Sequence, residues 1–246
     1  GKQPRNALGR ANRELGRLGF EPLTELPPKS VVSSTDNASL LDVIRPPVLI
    51  SAALACVGYF GFMVSQYFIL NWMPSLMVDV GYTDAGAISF SIITNIGAII
   101  GCAVVGFFTA RWGVRTVTVS MLVIMAAAIA AFGTLPLEAV GLIRTSSFFI
   151  GFAAFATAVG IFSIMASGFP AHVRGTGIGL AFTAGRFGSA VGAYLGGYLL
   201  AVGLGRPELC VVLSLPAVGA AVVIGFLARR NAGITAAPAR EVAVEG

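Results

Sequence analysis

One arginine, Arg186, lies near the centre of an apolar, glycine-rich stretch that covers residues 169–200. A charge at the middle of a bilayer costs about 2.5 to 3.5 kcal/mol, so it is tolerated where it faces a wet cavity or a partner. The apolar stretches of the chain hold no Asp or Glu deep inside them. A lone cation at that depth favours an anionic ligand. We therefore predict that Arg186 contacts a bound anion, and the alternative is a structural ion pair.

Uncharged polar side chains in other apolar stretches are further candidates for a binding site. Gln66 and Tyr67 lie in the first apolar stretch of the chain, and Asn95 lies near the middle of the second. An unpaired polar atom is penalised at membrane depth, which makes these groups secondary candidates for solute binding. An aromatic ring could stack on one of two groups of aromatic residues, although a single aromatic residue more often packs in the core or against lipid. The groups are Tyr59, Phe60 and Phe62 in the first span, or Phe149 and Phe155 in the fourth.

Residue types that support catalysis or metal binding are not arranged for either. The single histidine, His172, lies in a loop segment, and the cysteines Cys56, Cys102 and Cys210 fall in apolar stretches without C-x-x-C spacing. No nucleophile stands beside a base, and neither a zinc site nor a disulfide framework is indicated. We expect no enzyme activity, no catalytic residue, no metal and no cofactor.

The composition excludes an ordinary soluble domain. Hydrophobic residues make up 56% of the 246 residues and charged residues only 11%. A surface with so little charge does not stay in water, which indicates a multi-pass membrane protein in a lipid bilayer. The net charge of +5 would suggest nucleic acid only if the basic residues formed one soluble patch. They lie in separate loops instead, so no nucleic-acid partner is expected.

Six apolar spans near the length that a bilayer requires predict a helical membrane bundle at residues 47–228. The spans are residues 48–77, 87–108, 117–132, 139–165, 175–201 and 209–227. Before them, residues 1–46 read as a flexible linker with a short amphipathic helix between Asn6 and Leu18. After them, residues 229–246 read as a tail.

The distribution of basic residues predicts the orientation, because short loops rich in Lys and Arg stay cytoplasmic. The basic residues of the first segment, of the second and fourth loops and of the tail all fall on one side when six spans alternate. Arg111, Arg115 and Arg174 are the loop members of this group. Both termini are therefore predicted to be cytoplasmic.

Glycines repeat every four residues in two of the spans. Gly188, Gly192 and Gly196 share one helical face in the fifth span, and Gly97 and Gly101 do so in the second. Faces of small residues let helix backbones approach closely in lipid. We predict that these glycines mark helix-packing surfaces, within this bundle or, alternatively, between two copies of the chain.

Two motifs carry a resemblance to a known family. The segment G-F-F-T-A-R-W-G-V-R, from Gly106 to Arg115, resembles the G-x-x-x-D-R-x-G-R-[RK] loop of major facilitator superfamily transporters, with Ala110 where the family has an acid. The stretch F-P-A-H-V-R-G-T-G-I-G, followed by G-R-F-G-S-A-V-G, is similar to the tenth-to-eleventh helix region of the aromatic acid:proton symporters in that superfamily.

The resemblance implies an all-α membrane protein whose six transmembrane helices form two inverted three-helix repeats. They would be the C-terminal half of a twelve-helix transporter, so the chain reads as a fragment whose missing partner is an N-terminal six-helix half. The implied function is proton-coupled uptake of a small organic carboxylate, expected to be aromatic, across the plasma or inner membrane. The alternatives are a transporter of another cargo and a truncated, non-transporting half that acts as an interaction module.

The resemblance also implies a role for Arg186, which would pair with the substrate carboxylate. Asn95, Gln66 and Tyr67 are the polar groups that we expect to complete the pocket. Arg174 precedes Arg186 by twelve residues, about 18 Å along a helix, so we expect it to be a rim or gate residue on the cytoplasmic side. The cytoplasmic loop motif comprises Gly106, Arg111, Gly113 and Arg115.

Overall fold

The computed structural model describes residues 48–242, with side chains up to Arg230. These residues fall in a compact unit of residues 38–246. They form six α-helices: α1 (Val48–Asp79), α2 (Asp84–Trp112), α3 (Val114–Thr134), α4 (Val140–Gly168), α5 (Arg174–Ala201) and α6 (Arg206–Val242). The amphipathic helix and linker predicted within residues 1–46 lie outside the described residues.

Each of the six predicted spans corresponds to one helix, and α6 continues beyond the predicted start of the tail. Helices α2, α3 and α6 extend beyond their apolar runs at both ends, because polar residues join their first and last turns. At the start of α2, the Thr83 hydroxyl caps the helix by accepting a hydrogen bond from the Gly86 backbone N–H at 3.2 Å. The connection between α2 and α3 is the single residue Gly113.

The helix contacts are unchanged when α1, α2 and α3 are exchanged with α4, α5 and α6. Helix α1 packs on α5 and α6, helix α4 packs on α2 and α3, and α3 packs on α6. The connections between helices are short, so consecutive helices run in opposite directions and α1 is antiparallel to α4. The described helices therefore form two inverted three-helix repeats, as expected.

Glycines make the closest helix contacts, as their four-residue spacing predicts. A Cβ atom on Gly188 or Gly192 would collide with the backbone of α1, and one on Gly97 or Gly101 would collide with the backbone of α4. The internal repeat relates these two interfaces, because α5 corresponds to α2 and α1 corresponds to α4. In both, the absence of a side chain lets two backbones meet directly.

Apolar side chains cover both the inside and the outside of the bundle. Phe62, Phe68 and Phe132 are fully buried, whereas Ile99 is 72% exposed and Phe107 is 71% exposed. A monomer in water rarely exposes so much contiguous apolar surface. These outer faces fit contact with lipid or with further protein.

Five of the described helices are long and apolar enough to cross a membrane, and α5 is not among them. Helix α5 is 28 residues long, which is sufficient for a span. It is less apolar because it contains eight glycines and two arginines. The helix that departs from the apolar pattern is thus the one that carries Arg186.

Candidate solute-binding cleft

A cleft of about 340 Å³ lies between α1 and α5. Five residues line it: Tyr59, Met63 and Tyr67 from α1, with Phe182 and Arg186 from α5. Arg186 is the thirteenth residue of the 28-residue helix α5, so it lies within about 3 Å of the helix midpoint along the axis. The cleft therefore places one cation near the middle of the bundle.

The Arg186 guanidinium has one hydrogen bond within the described part of the chain. Its Nη1 donates to the Tyr67 hydroxyl oxygen at 3.4 Å. No Asp or Glu between residues 48 and 230 forms an ion pair with Arg186, and the side chain is exposed in this bundle. A guanidinium has five N–H donors in a planar fork. Most of these donors are therefore available to an anion.

Four-residue spacing on two helices builds the cleft. Tyr59, Met63 and Tyr67 follow each other at intervals of four on α1, and Phe182 and Arg186 do so on α5. Side chains at this spacing share one helical face. A Cβ atom on Gly185 would collide with the Tyr59 ring, so this glycine lets α5 approach α1 beside the cleft.

The apolar end of the cleft is aromatic. The Tyr59 and Phe182 rings meet edge to face, with centroids 5.2 Å apart and an interplanar angle of 74°. Phe182 also stacks on Phe162 of α4, with centroids 6.2 Å apart. The cleft thus combines a cation and a phenol with an aromatic wall, an arrangement that suits an aromatic anion.

The structure brings only some of the predicted binding residues together. Arg186 and Tyr67 share the cleft, whereas Gln66 is buried on α1 and does not line it. Asn95 lines a second cleft of about 490 Å³ between α2 and α4. Its Nδ2 donates to the Ser91 carbonyl oxygen at 3.0 Å.

Met63 and Phe182 line the cleft without having been predicted from the sequence. A usable signal was present, because Met63 precedes Tyr67 by four residues and Phe182 precedes Arg186 by four. Such a signal points to a site only after the contact between α1 and α5 is known. Apolar residues at this spacing are otherwise indistinguishable from core residues.

The loop residues predicted as a gate lie at helix ends. Arg111 is in the last turn of α2 and Arg115 in the first turn of α3, on either side of Gly113, whose φ is 82°. Gly106 lies inside α2. Arg174 begins α5, is exposed, and donates from Nε to the Phe169 carbonyl oxygen at 3.4 Å.

A metal site is not evident in the part of the chain that the structure describes. Within residues 48–230, no group of three or more His, Cys, Asp or Glu residues is placed to hold a metal ion. The candidate chemistry therefore rests on the Arg186 guanidinium and its neighbours.

Comparison with known proteins relates the chain to transporters. It is similar to a gallate transporter of Pseudomonas putida, with 30% identity over 74% of this chain and 40% of the relative. A benzoate transport protein of Acinetobacter baylyi is 29% identical over 63% of this chain and 33% of the relative. A gentisate transporter of Corynebacterium glutamicum is 29% identical over 68% of this chain and 37% of the relative. The chain thus spans less than half the length of each of these relatives.

The family model of the Major Facilitator Superfamily matches residues 5–193, which is most of the chain. The match agrees with the inverted three-helix repeats and with the helices that are long and apolar enough to cross a membrane. Sequence and architecture lead to the same assignment: this multi-pass membrane protein belongs to the major facilitator superfamily.

Proposed function

We propose that the complete protein is a secondary transporter that takes up a small aromatic carboxylate together with protons across the plasma or inner membrane. The observation that carries the proposal is the cleft between α1 and α5, in which Arg186 and Tyr67 face an aromatic wall. The relatives support the same cargo class, because gallate, benzoate and gentisate are all aromatic carboxylates.

In this proposal each lining residue has a separate task. Arg186 binds the cargo carboxylate through two parallel hydrogen bonds, and the Tyr67 hydroxyl holds the guanidinium toward α1. Tyr59 and Phe182 contact the cargo ring. Gln66 lies next to Tyr67 in the chain but is buried, so we propose that it packs behind the residues that line the cleft and holds them in place.

A second six-helix half completes the proposed site. Transporters with inverted repeats bind cargo between two bundles that rock against each other, and the cleft here provides one wall. Between residues 48 and 230, the carboxylates Asp79, Asp84, Glu138 and Glu208 all lie in connections or helix-end turns. We therefore propose that the acidic groups for proton coupling belong to the other half.

The proposed orientation places both termini in the cytoplasm. Arg111, Arg115 and Arg174 lie at the same end of the bundle because the helices alternate in direction. Basic residues at the ends of short connections favour the cytoplasmic side. We propose that Arg174 and the residues beside Gly113 form the cytoplasmic rim of the transport path and act there as gate residues.

Uptake of radiolabelled benzoate and gallate by cells that produce the complete protein tests the function. We expect uptake that a protonophore abolishes and that Arg186→Ala reduces to background. Arg186→Lys should also lose at least tenfold in uptake efficiency, because an ammonium group cannot form two parallel hydrogen bonds with a carboxylate.

Arg144→Ala is the matched control, since Arg144 is an exposed arginine on α4 that does not line the cleft. It should transport normally at equal abundance in the membrane. Full uptake by Arg186→Ala would overturn the carboxylate role, and uptake that persists with the protonophore would overturn proton coupling.

A further inference from the structure

The connection between α2 and α3 carries exposed arginines that have no acidic partner among the described residues. Arg111 and Arg115 stand on either side of Gly113, and both side chains are exposed. No hydrogen bond or ion pair joins either guanidinium to another residue between positions 48 and 230. The four carboxylates in this range all lie at the other end of the bundle, and Ala110 stands where the related loop has an acid. The described bundle therefore leaves this positive charge without a counter-charge.

A third arginine reaches the same level from α6. Helices α3 and α6 run in opposite directions, and a Cβ atom on Gly225 of α6 would contact Val119 of α3. About one helical turn beyond this contact, Arg229 on α6 is level with Arg115 on α3. The Arg229 side chain is exposed and has no partner within residues 48–230. We call these three residues, Arg111, Arg115 and Arg229, the basic patch.

Exposed aromatic rings border the basic patch. Phe108 packs beside Val105 and Val117, and the Trp112 indole stacks on Phe108 with ring centroids 5.4 Å apart and an interplanar angle of 9°. Trp112 is 58% exposed, and its Nε1 donates to no other residue between positions 48 and 230. Phe107 beside it is also exposed. An apolar ring with one free donor is the combination that is enriched where a membrane meets water.

The basic patch lies at the depth of lipid headgroups and away from both clefts. Helix α2 has 29 residues and is about 44 Å long, which matches a bilayer with its headgroup layers, and Arg111 is in its last turn. Arg111 follows Asn95 by sixteen residues, or about 160° around α2, so it lies on the far side of this helix from the Asn95 cleft. Helices α3 and α6 line neither that cleft nor the cleft of Arg186.

We infer that the basic patch and the Trp112 indole bind the headgroup of an anionic phospholipid. The guanidinium groups of the patch provide paired N–H donors for a phosphate and the charge that an anionic headgroup lacks. The exposed Phe107 ring beside them provides a surface for the acyl chains. A dissolved phosphate would contact the arginines but would leave these rings exposed to water, which favours a lipid as the occupant. The inference goes beyond the proposed transport and does not depend on it.

Quenching of Trp112 fluorescence by brominated lipids tests the inference on the purified full chain in phosphatidylcholine nanodiscs. Each arginine near an anionic surface contributes a factor of about five in affinity. The affinity measured for brominated phosphatidylglycerol should therefore exceed that for brominated phosphatidylcholine by about fivefold or more. Trp112→Phe identifies the signal of Trp112 by difference, because the chain also contains Trp72.

Substitutions of the arginines separate charge at the patch from charge elsewhere. Arg111→Gln combined with Arg115→Gln should remove the preference for phosphatidylglycerol, and Arg111→Lys combined with Arg115→Lys should keep most of it. Both double variants should unfold at the wild-type temperature, since these side chains have no partner within residues 48–230. Arg144→Gln is the matched control, because Arg144 is an exposed arginine at the other end of the bundle. It should keep the full preference.

Three results would overturn the inference. The first is equal affinity of the wild-type chain for the two brominated lipids, and the second is a preference that the double glutamine variant retains or that Arg144→Gln loses equally. The third is displacement of the brominated lipid by dissolved glycerol phosphate, which would assign the patch to a soluble anion instead.

Discussion

The Nη1 atom of Arg186 donates to the Tyr67 hydroxyl oxygen across 3.4 Å, which joins α5 to α1 near the middle of the bundle. These residues are 119 positions apart in the chain. The contact holds one edge of the guanidinium at α1 and leaves the rest facing the cleft. The position of the cation is thus set by a phenol rather than by an acid, so the charge of the guanidinium is not neutralised within the described bundle.

Replacing Tyr67 with Phe tests this arrangement. The change removes the acceptor of Arg186 but keeps the ring, so we expect a normally folded protein whose KM for an aromatic acid rises about two- to tenfold. The measurement is concentration-dependent uptake by the complete protein. Tyr198→Phe is the control, because Tyr198 is an exposed tyrosine of α5 outside the cleft. Equal KM values for the two variants would contradict the role of the Tyr67 hydroxyl.

Replacing Gly192 with Ala tests the close contact between α5 and α1. Alanine favours a helix over glycine by about 0.5 to 1 kcal/mol, but its Cβ would collide with the Val64 carbonyl oxygen, and overpacking costs about 1 to 3 kcal/mol. We therefore expect a lower unfolding temperature in detergent. Gly179→Ala in the same helix has open space around its Cβ and should be neutral or stabilising. If both variants unfolded at the wild-type temperature, the predicted collision would be absent.

Replacing Trp72 with Phe tests the part of the same interface that lies toward the C-terminal ends of α1 and α5. The Trp72 Nε1 donates to the Ala193 carbonyl oxygen at 2.8 Å, and the indole packs against Gly196 and Gly197. Losing this bond and part of the packing should destabilise the protein by about 1 to 3 kcal/mol. Trp112→Phe, at the exposed end of α2, is expected to change thermal unfolding little. A larger loss of stability in Trp112→Phe than in Trp72→Phe would refute the role assigned to Trp72.

Replacing Gly113 with Ala tests the one-residue connection between α2 and α3. Gly113 has a φ of 82° and a ψ of 144°, a backbone conformation that is nearly restricted to glycine and costs residues with a Cβ about 1 to 3 kcal/mol. Its Cβ would meet no atom within 4 Å, so any loss of stability comes from the backbone conformation. The unfolding temperature of Gly113→Ala should be lower than that of Gly106→Ala, since Gly106 is helical and a Cβ atom there also has open space around it. Equal stabilities would mean that the connection adapts to a side chain.

Several features follow from the sequence because they depend on local chemistry. The apolar runs predict the helices, since a bilayer requires backbone groups to be bonded within each segment. The spacing of Gly188 and Gly192 predicts close packing, and the charge of Arg186 among apolar residues predicts its special position. Each of these signals lies within a few helical turns, where periodicity alone determines which residues share a face.

Other features depend on which helices meet, and only the tertiary structure decides that. Pairing α5 with α1 brings Arg186 to Tyr67 and Phe182 to Tyr59, while Gln66, adjacent to Tyr67 in the chain, is buried elsewhere. The pairing of α2 with α4 places Asn95 in a separate cleft. Contacts between distant segments depend on the complementary shapes of two helix surfaces, and no periodicity within one segment encodes its partner.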